Sequence, residues 1–179
     1  MKNPLVSIIL VNWNGKAYIG RCLRSLANIT YRPYKVIVVD NASTDGSVSY
    51  IKRTFSNVRV IENKKNLGFA QGNNAALPIA HGKFVLLLNT DTAVEPQFLT
   101  HLVKGIQRDE SIGVVQPKEL LASEKERIDS VGAFFLLTGL LYHYGREKIE
   151  TMLLYNRAMK IFTAKGVCML IRKSVIEKI

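Results

Sequence analysis

The segment Leu5-Val6-Ser7-Ile8-Ile9-Leu10-Val11-Asn12-Trp13 is an almost continuous apolar run, rich in β-branched residues, near the beginning of the chain. Such a run is typical of a strand that is covered on both faces, as in a parallel sheet. Polar residues, Asn14 and Gly15, follow directly and predict a loop. The chain is therefore expected to begin its fold with a buried strand that ends at a polar edge.

Three further strands of the same kind are predicted along the chain. They share short apolar runs and lie at Tyr34–Asp40, Val58–Glu62 and Phe84–Leu88. Apolar residues at helical spacing follow each of the four strands. Because parallel strands need crossover connections, this alternation predicts an α/β fold, a doubly wound, mostly parallel sheet with helices on both faces.

The predicted helices and later strands follow from the same patterns. The first helix is expected to bury a stripe made of Tyr18, Ile19, Cys22, Leu23 and Leu26. The second helix is expected to be capped by Ser43 or Thr44 and to bury Val48, Ile51 and Phe55. A third helix is expected near Phe69–Ala80, interrupted by Pro78. Further strands are predicted at Gly113–Pro117, Ile128–Leu137 and Ile161–Ile171.

Length and composition indicate an ordinary globular chain with an excess of positive charge. The 179 residues are 47% hydrophobic and 22% charged, which argues against disorder and predicts one domain. No apolar stretch reaches the ~20 residues of a spanning helix, and no secretory signal is present, so a cytoplasmic location is expected. The net charge of +11 predicts an anionic partner: nucleic acid, an anionic membrane surface or a phosphorylated small molecule.

Two acidic residues at predicted strand ends are candidate site residues. Asp40 could accept a nucleobase imide N–H or hold a ribose hydroxyl, and the alternative is a local turn with Asn41. Asp91 could hold a divalent metal on a pyrophosphate, and the alternative is a turn or cap residue. Ligands of such sheets bind at the carboxyl ends of the strands. The first strand is not followed by the glycine-rich loop of a dinucleotide-binding dehydrogenase, which disfavours that class.

Five segments in this order resemble family 2 glycosyltransferases, in particular rhamnosyltransferase-like members. They are Val6–Gly15, Val36–Gly46, Asn63–Asn74, Leu86–Pro96 and Lys165–Arg172. The resemblance implies the nucleotide-diphospho-sugar transferase fold and an inverting sugar transfer. It also implies a UDP-, dTDP- or GDP-sugar donor, a glycan or lipid-linked acceptor, and Mg²⁺ or Mn²⁺ as cofactor.

The resemblance also assigns site residues. It places Val11, Asn12 and Asn14 around the nucleobase and ribose, and Asp40 on the base. The residues implied along the ribose and phosphates are Asn66, Gly68, Gly72 and Asn73. Asp91 matches the last acid of the family's Asp-x-Asp-type motif and is implied as the metal ligand. The first position of that motif is the neutral Asn89, so weak metal affinity is expected without nucleotide.

The division of the chain leaves alternatives open. Residues 1–117 are expected to form the donor-binding core and residues 118–179 an acceptor-side part. Relatives supply the catalytic base from a segment that would follow Ile179, so binding is predicted more firmly than turnover. The second hypothesis is a catalytically incomplete nucleotide-sugar-binding or assembly module. Nucleic-acid binding is disfavoured because the basic residues are dispersed along the chain. Nucleotidyl transfer is disfavoured because the N-terminus lacks a glycine-rich phosphate loop.

One acceptor-side segment is unusually apolar. It contains Phe134, Phe135, Leu136, Leu137, Leu140 and Leu141. Either it forms a buried hairpin or a homodimer surface, or it contacts a lipid-linked acceptor at an anionic membrane surface. The second alternative would make the protein peripheral at the inner membrane face.

Overall fold

A computed structural model describes residues 3–178. Its elements alternate as expected through the first two thirds of the chain. These are β1 (Val6–Asn12), α1 (Lys16–Ala27), β2 (Tyr34–Asp40), α2 (Ser47–Thr54), β3 (Val58–Glu62), α3 (Gly68–Ala76), β4 (Phe84–Leu88) and α4 (Phe98–Ile106). Short elements follow: β5 (Val114–Val115), β6 (Glu119–Leu120), β7 (Ile128–Ser130), β8 (Ala133–Phe135), β9 (Leu141–His143), β10 (Cys168–Arg172) and α5 (Lys173–Ile176).

Six strands form one sheet in the order β3-β2-β1-β4-β10-β5. The four strands β1 to β4 are parallel, and β10 runs antiparallel between β4 and β5. The pairs β6–β7 and β8–β9 are separate two-stranded ribbons. The predicted α/β class with a mostly parallel sheet is thus confirmed.

Apolar residues cover both faces of the central strands. Val6, Ile8 and Leu10 pack with α1, α2 and α4 on one face of the sheet. Ile9 and Val39 point to the opposite face and pack against α3. Since side chains alternate between the two faces of a strand, only continuous apolar runs such as β1 can cover both. In residues 3–178, no helix is both long and apolar enough to cross a bilayer.

Three details of the predicted helices were wrong. Tyr18 is 59% exposed, because it lies beside the buried stripe of α1 instead of within it. Neither Ser43 nor Thr44 caps α2, which begins after Gly46 in the left-handed conformation (φ 78°). The Ser43 hydroxyl is used elsewhere, as a hydrogen-bond donor to Asp40. Ile51 is the fully buried apolar residue of α2, whereas Val48 and Phe55 are half-buried.

The later strands are shorter than predicted. Gly132 has a positive φ (133°), which glycine adopts readily and other residues rarely do. It divides the expected strand Ile128–Leu137 into β7 and β8. Residues 161–167 stay outside the main sheet because Phe162 and Thr163 donate their N–H groups to the carbonyl of Ala133. The expected interruption of the third helix is confirmed: α3 ends at Ala76 and a short 3₁₀ turn contains Pro78.

Candidate functional site

The polar residues that follow β1, β2, β3 and β4 meet at one edge of the sheet. The parallel register pairs Asn12 with Asp40 and Asp40 with Glu62, so these strands end side by side. The helical crossovers return the chain to the opposite edge before each new strand begins. Four loops from distant parts of the sequence therefore line the carboxyl edge, where α/β sheets bind ligands.

Asp40 is held in one orientation by its neighbours. Asn12 Nδ2 donates to Asp40 Oδ1 (2.8 Å), and Ser43 donates its hydroxyl to Oδ1 (2.6 Å) and its backbone N–H to Oδ2 (2.8 Å). An ionised carboxylate has about four acceptor positions. Within residues 3–178 three of these positions are occupied, and Oδ2 accepts a single hydrogen bond, while Asp40 as a whole is 2% exposed. The turn that the sequence left as an alternative is present.

Asn12 contacts the candidate site indirectly, through its hydrogen bond to Asp40. Its side chain is fully buried and also donates from Nδ2 to the Ser47 hydroxyl (2.9 Å). Its Oδ1 has no hydrogen-bond partner within residues 3–178 and faces Gly15, where an added Cβ would come well under 3.0 Å from it. The Asp40 carboxylate fixes the amide orientation, because a flipped Asn12 would place two oxygens against each other.

The loop after β1 is tied to the loop after β2. Asn14 accepts the N–H of Thr44 at Oδ1 (2.8 Å) and donates its own N–H to Ser43 (2.9 Å). Asp45 accepts the N–H groups of Lys16 and Ser47 (2.8 and 2.9 Å). Burial acts to raise the pKa of Asp45, but these hydrogen bonds outweigh it and lower the pKa. The exposed Asn14 is thereby presented on a rigid loop.

Asparagines connect the loops after β2 and β3. Asn41 Nδ2 donates to Asn66 Oδ1 (3.1 Å) and to the carbonyl of Gly68 (3.0 Å). Asn63 donates to Asn41 Oδ1 (2.9 Å), and Asn66 Oδ1 also accepts the N–H of Gly68 (2.8 Å). Asn66 and Gly68 are both exposed at the edge. The network holds the start of α3 beside Asp40.

Gly72 and Asn73 lie beneath this surface. A Cβ at Gly72 would be 2.9 Å from Val11 Cγ1 and 3.3 Å from Asn41 Nδ2, so glycine allows α3 to approach β1 closely. Asn73 is 5% exposed and donates to the carbonyl of Phe69 (2.9 Å). Val11 is half-buried under α3. In this structure these three residues support the loops and offer little surface to solvent.

Asp91 lies on the exposed loop after β4. The neighbouring Asn89 donates its N–H to Val167 O (2.9 Å), and its carbonyl accepts the Thr92 hydroxyl (2.7 Å). Within residues 3–178, no three His, Cys, Asp or Glu side chains gather to hold a metal. Mg²⁺ and Mn²⁺ are often bound by one or two carboxylates together with substrate phosphates. Asp91 fits a metal that is shared with a diphosphate ligand.

Three charged residues near the start of β10 were missed by the sequence analysis. Lys165 forms an ion pair with Asp129, and Glu119 is buried close to both. Burial raises the pKa of Glu119 to about 8; Lys165 opposes this effect and Asp129 adds to it. Neither Glu119 oxygen is in good hydrogen-bond geometry with a donor in the described part of the chain, although the backbone N–H of Cys168 is close enough to lower the pKa. The sequence signal was weak, because these residues are far apart along the chain.

This cluster is connected to the carboxyl edge of the sheet through Gly166. A Cβ at Gly166 would be 3.4 Å from Cζ of Phe69, so the segment before β10 touches the start of α3. Val167, the next residue, bonds to Asn89 beside Asp91. The described structure thus places the segment before β10 directly against the loops after β3 and β4.

Comparison with known proteins gives the same fold. The structure resembles a mannosyltransferase from Pyrobaculum calidifontis in complex with GDP-Man and Mn²⁺ (TM-score 0.71, 20% identity, 99% of this chain and 47% of that chain). It also resembles S. aureus TarS 1–349 in complex with UDP (TM-score 0.67, 21% identity, 97% of this chain and 48% of that chain). These likenesses show the fold of nucleotide-sugar transferases.

Sequence comparison identifies the family. An uncharacterized glycosyltransferase of Haemophilus influenzae is 29% identical over 126 residues, which cover 69% of this chain and 39% of that protein. The aligned part of this chain therefore spans less than half the length of that relative. The pattern of the family described as "Glycosyl transferase family 2" matches residues 7–179. The chain belongs to glycosyl transferase family 2.

Proposed function

We propose that this chain binds a nucleotide-diphospho-sugar at the carboxyl edge of the sheet and transfers the sugar to a glycan or lipid-linked acceptor. The observation that carries the proposal is the fixed Asp40 carboxylate at the carboxyl edge, whose Oδ2 accepts a single hydrogen bond within residues 3–178. The Pyrobaculum enzyme in complex with GDP-Man and TarS in complex with UDP support a ligand of this class.

The proposed roles follow from where each residue lies. Asp40 accepts a hydrogen bond from the nucleobase, and Asn12 contributes indirectly by positioning Asp40. The exposed Asn14 and the half-buried Val11 border the base and ribose. The remaining predicted residues border the ribose and phosphates, either from the surface or by supporting it: Asn66, Gly68, Gly72 and Asn73.

Asp91 is the proposed metal ligand. A bound Mg²⁺ or Mn²⁺ would neutralise charge on the diphosphate leaving group. Asp91 would supply one carboxylate, and Asn89, the neutral first position of the motif, keeps the charge of this loop low. We therefore expect the metal to bind together with the nucleotide and weakly without it. The Mn²⁺ in the Pyrobaculum complex supports this choice of cofactor.

A second candidate function is donor binding without transfer. An inverting transfer needs a base for the acceptor hydroxyl. Of the two acids near the start of β10, Asp129 is paired with Lys165 and Glu119 is buried with a pKa raised to about 8. Lys165 already occupies the Asp129 carboxylate, and burial keeps Glu119 from direct contact with an acceptor hydroxyl, so neither acid is assigned as the base. This observation favours a binding or assembly module for residues 3–178 taken alone.

Rhamnosyl transfer, inversion, a cytoplasmic location and a homodimer remain predictions from the sequence. The rhamnosyl assignment depends on the resemblance of the five segments alone. A donor series containing dTDP-rhamnose, UDP-GlcNAc and GDP-mannose would identify the sugar. The anomeric configuration of any product, read by NMR, would test inversion.

Calorimetry with UDP, dTDP and GDP, with and without Mn²⁺, tests the proposal. We expect at least one nucleotide diphosphate to bind more tightly with Mn²⁺. A transfer assay with the same donors distinguishes the two candidates, because binding without turnover supports the second. If no nucleotide diphosphate binds the folded chain, both candidates are wrong.

A further inference from the structure

The ribbon β8–β9 ends in a tight, projecting turn. Its strands pair Ala133 with His143 and Phe135 with Leu141. The turn is closed by the N–H of Leu136, which donates to Leu140 O (2.9 Å), and Gly139 has the positive φ (81°) that such a turn requires. The hairpin is therefore ordered by its own backbone hydrogen bonds.

Apolar side chains dominate the end of this hairpin. We call this group the hairpin tip; its exposed members are Phe135, Leu136, Leu137, Leu140, Leu141 and Phe162. Leu137 is fully exposed and Leu140 is 65% exposed. Phe162 joins the group because its ring packs edge-on against Phe135, with centroids 4.9 Å apart. The sequence alternative of a buried hairpin is thus wrong for the described part of the chain.

Charge separates the tip from its surroundings. Residues 131–142 contain no charged side chain, although 22% of the whole chain is charged. Exposed basic residues flank the tip in sequence, with Arg146 and Lys148 after β9 and Arg157 and Lys160 before Phe162. Residues 143–162 contain these four cations and two acids, Glu147 and Glu150, so the segment is net positive. An apolar end with basic flanks is the arrangement that suits an anionic interface.

We infer that the hairpin tip inserts into the surface of an anionic lipid bilayer. A second copy of this chain fits less well, because two molecules of charge +11 repel each other while anionic headgroups attract them. A fluid bilayer can also close around a projecting apolar end, whereas a protein partner must match its shape. This inference does not rest on the proposed function, because lipid binding is measured without nucleotide.

Vesicle sedimentation tests the inference directly. The probes are extruded vesicles of phosphatidylcholine alone and of phosphatidylcholine with 30 mol% phosphatidylglycerol. We expect the chain to bind the anionic vesicles, and Leu137→Ser/Leu140→Ser to bind them at least ~10-fold more weakly. The double variant leaves charge unchanged, and both leucines are exposed, so the melting temperature should stay that of the wild type.

Two control measurements complete the test. Ser49→Glu/Ser56→Glu changes two exposed residues on and after α2, and should weaken vesicle binding less than Leu137→Glu/Leu140→Glu with the same charge change. Leu137→Trp should show a blue-shifted emission on anionic vesicles, beyond the signal of Trp13 measured in the wild type. Wild-type affinity in the serine variant would overturn the insertion. A second result would also overturn it: the free chain sediments as a dimer, the serine variant sediments as a monomer, and the wild type does not bind vesicles.

Discussion

The side-chain amide of Asn12 donates to the carboxylate of Asp40 over 2.8 Å, and both side chains are almost completely buried. This contact joins the end of β1 to the end of β2 beneath the surface of the candidate site. A hydrogen bond to a buried charge contributes about 1.5–3 kcal/mol and is costly to leave unmade. The pair therefore couples the stability of the edge to the orientation of the carboxylate that we propose binds the ligand.

Replacing Asp40 should weaken nucleotide binding. Asp40→Asn retains the size of the side chain but removes the charge and one acceptor, so affinity for the best nucleotide diphosphate should fall ~10- to 100-fold. Calorimetry on folded protein measures this. Glu110→Gln is the matched control, because this exposed acid follows α4 at the opposite edge of the sheet. Equal losses in both variants, or none in Asp40→Asn, would remove Asp40 from the site.

Placing a second carboxylate at position 12 should make stability depend on pH. In Asn12→Asp two buried carboxyls would face each other where the wild-type distance is 2.8 Å, which raises the pKa of one of them above its unfolded value. Stability is then lost as pH rises through that raised pKa. Thermal melts should show a larger deficit at pH 7.5 than at pH 4.5. Asn57→Asp, at an exposed position after α2, should show little change. A deficit that is independent of pH would contradict this account.

Gly15→Ala should destabilise the protein by ~1–3 kcal/mol. The new Cβ would overlap Asn12 Oδ1, whose position is fixed by the bonds of Nδ2 to Asp40 and Ser47. Chemical unfolding gives the free energy. Gly105→Ala in α4 is the contrast, since its nearest side-chain neighbour would be 3.9 Å away and alanine is the better helix residue. If the Gly15→Ala variant is as stable as the Gly105→Ala variant, the Asn12 side chain moves freely and the account is wrong.

Asp91→Asn should remove the metal dependence of nucleotide binding. Without this carboxylate, residues 89–92 offer only neutral oxygens to a cation, and Glu95 is the remaining acid of the loop after β4. We expect Mn²⁺ to strengthen UDP or dTDP binding in the wild type and not in the variant, with nucleoside binding unchanged in both. Calorimetry with and without Mn²⁺ measures the difference, and Glu95→Gln on the same exposed segment is the control. Equal enhancement by metal in Asp91→Asn would refute the assignment.

Glu119→Gln should stabilise the protein at alkaline pH. Burial raises the pKa of Glu119 to about 8, above the ordinary 4.5, so ionisation of the folded protein is penalised. The contribution of Glu119 to stability is constant below pH 4.5 and decreases from there to about pH 8. At ~1.4 kcal/mol per pKa unit, the advantage of glutamine should reach several kcal/mol by pH 9.

Urea unfolding of Glu119→Gln at pH 5 and pH 9 measures this change. The exposed Glu126→Gln, on the connection between β6 and β7, is the control and should stay within ~0.5 kcal/mol at both values. A glutamine variant less stable than the wild type at pH 9 would show that the ionised Glu119 is stabilised by Lys165.

The fold class and the meeting of the candidate site residues at one edge could be predicted from local patterns. A continuous apolar run such as Val36–Val39 can be buried completely only in a strand that is covered on both faces. This requirement follows from the segment itself, without its neighbours. Polar residues directly after those runs then had to share one edge. The register of β1 with β2, which pairs Asn12 with Asp40, agrees with this expectation.

The tertiary structure decided which polar side chains are free to meet a ligand. Asn12 is buried against Ser43 and Ser47, which lie 31 and 35 residues further along the chain. Ser43 also donates its hydroxyl to Asp40 and does not cap α2. The grouping of Glu119 with Lys165 and the exposure of Leu137 likewise depend on how separate ribbons pack. Hydrophobic periodicity is local, whereas hydrogen-bond partners and solvent exposure are set by loops that only folding brings together.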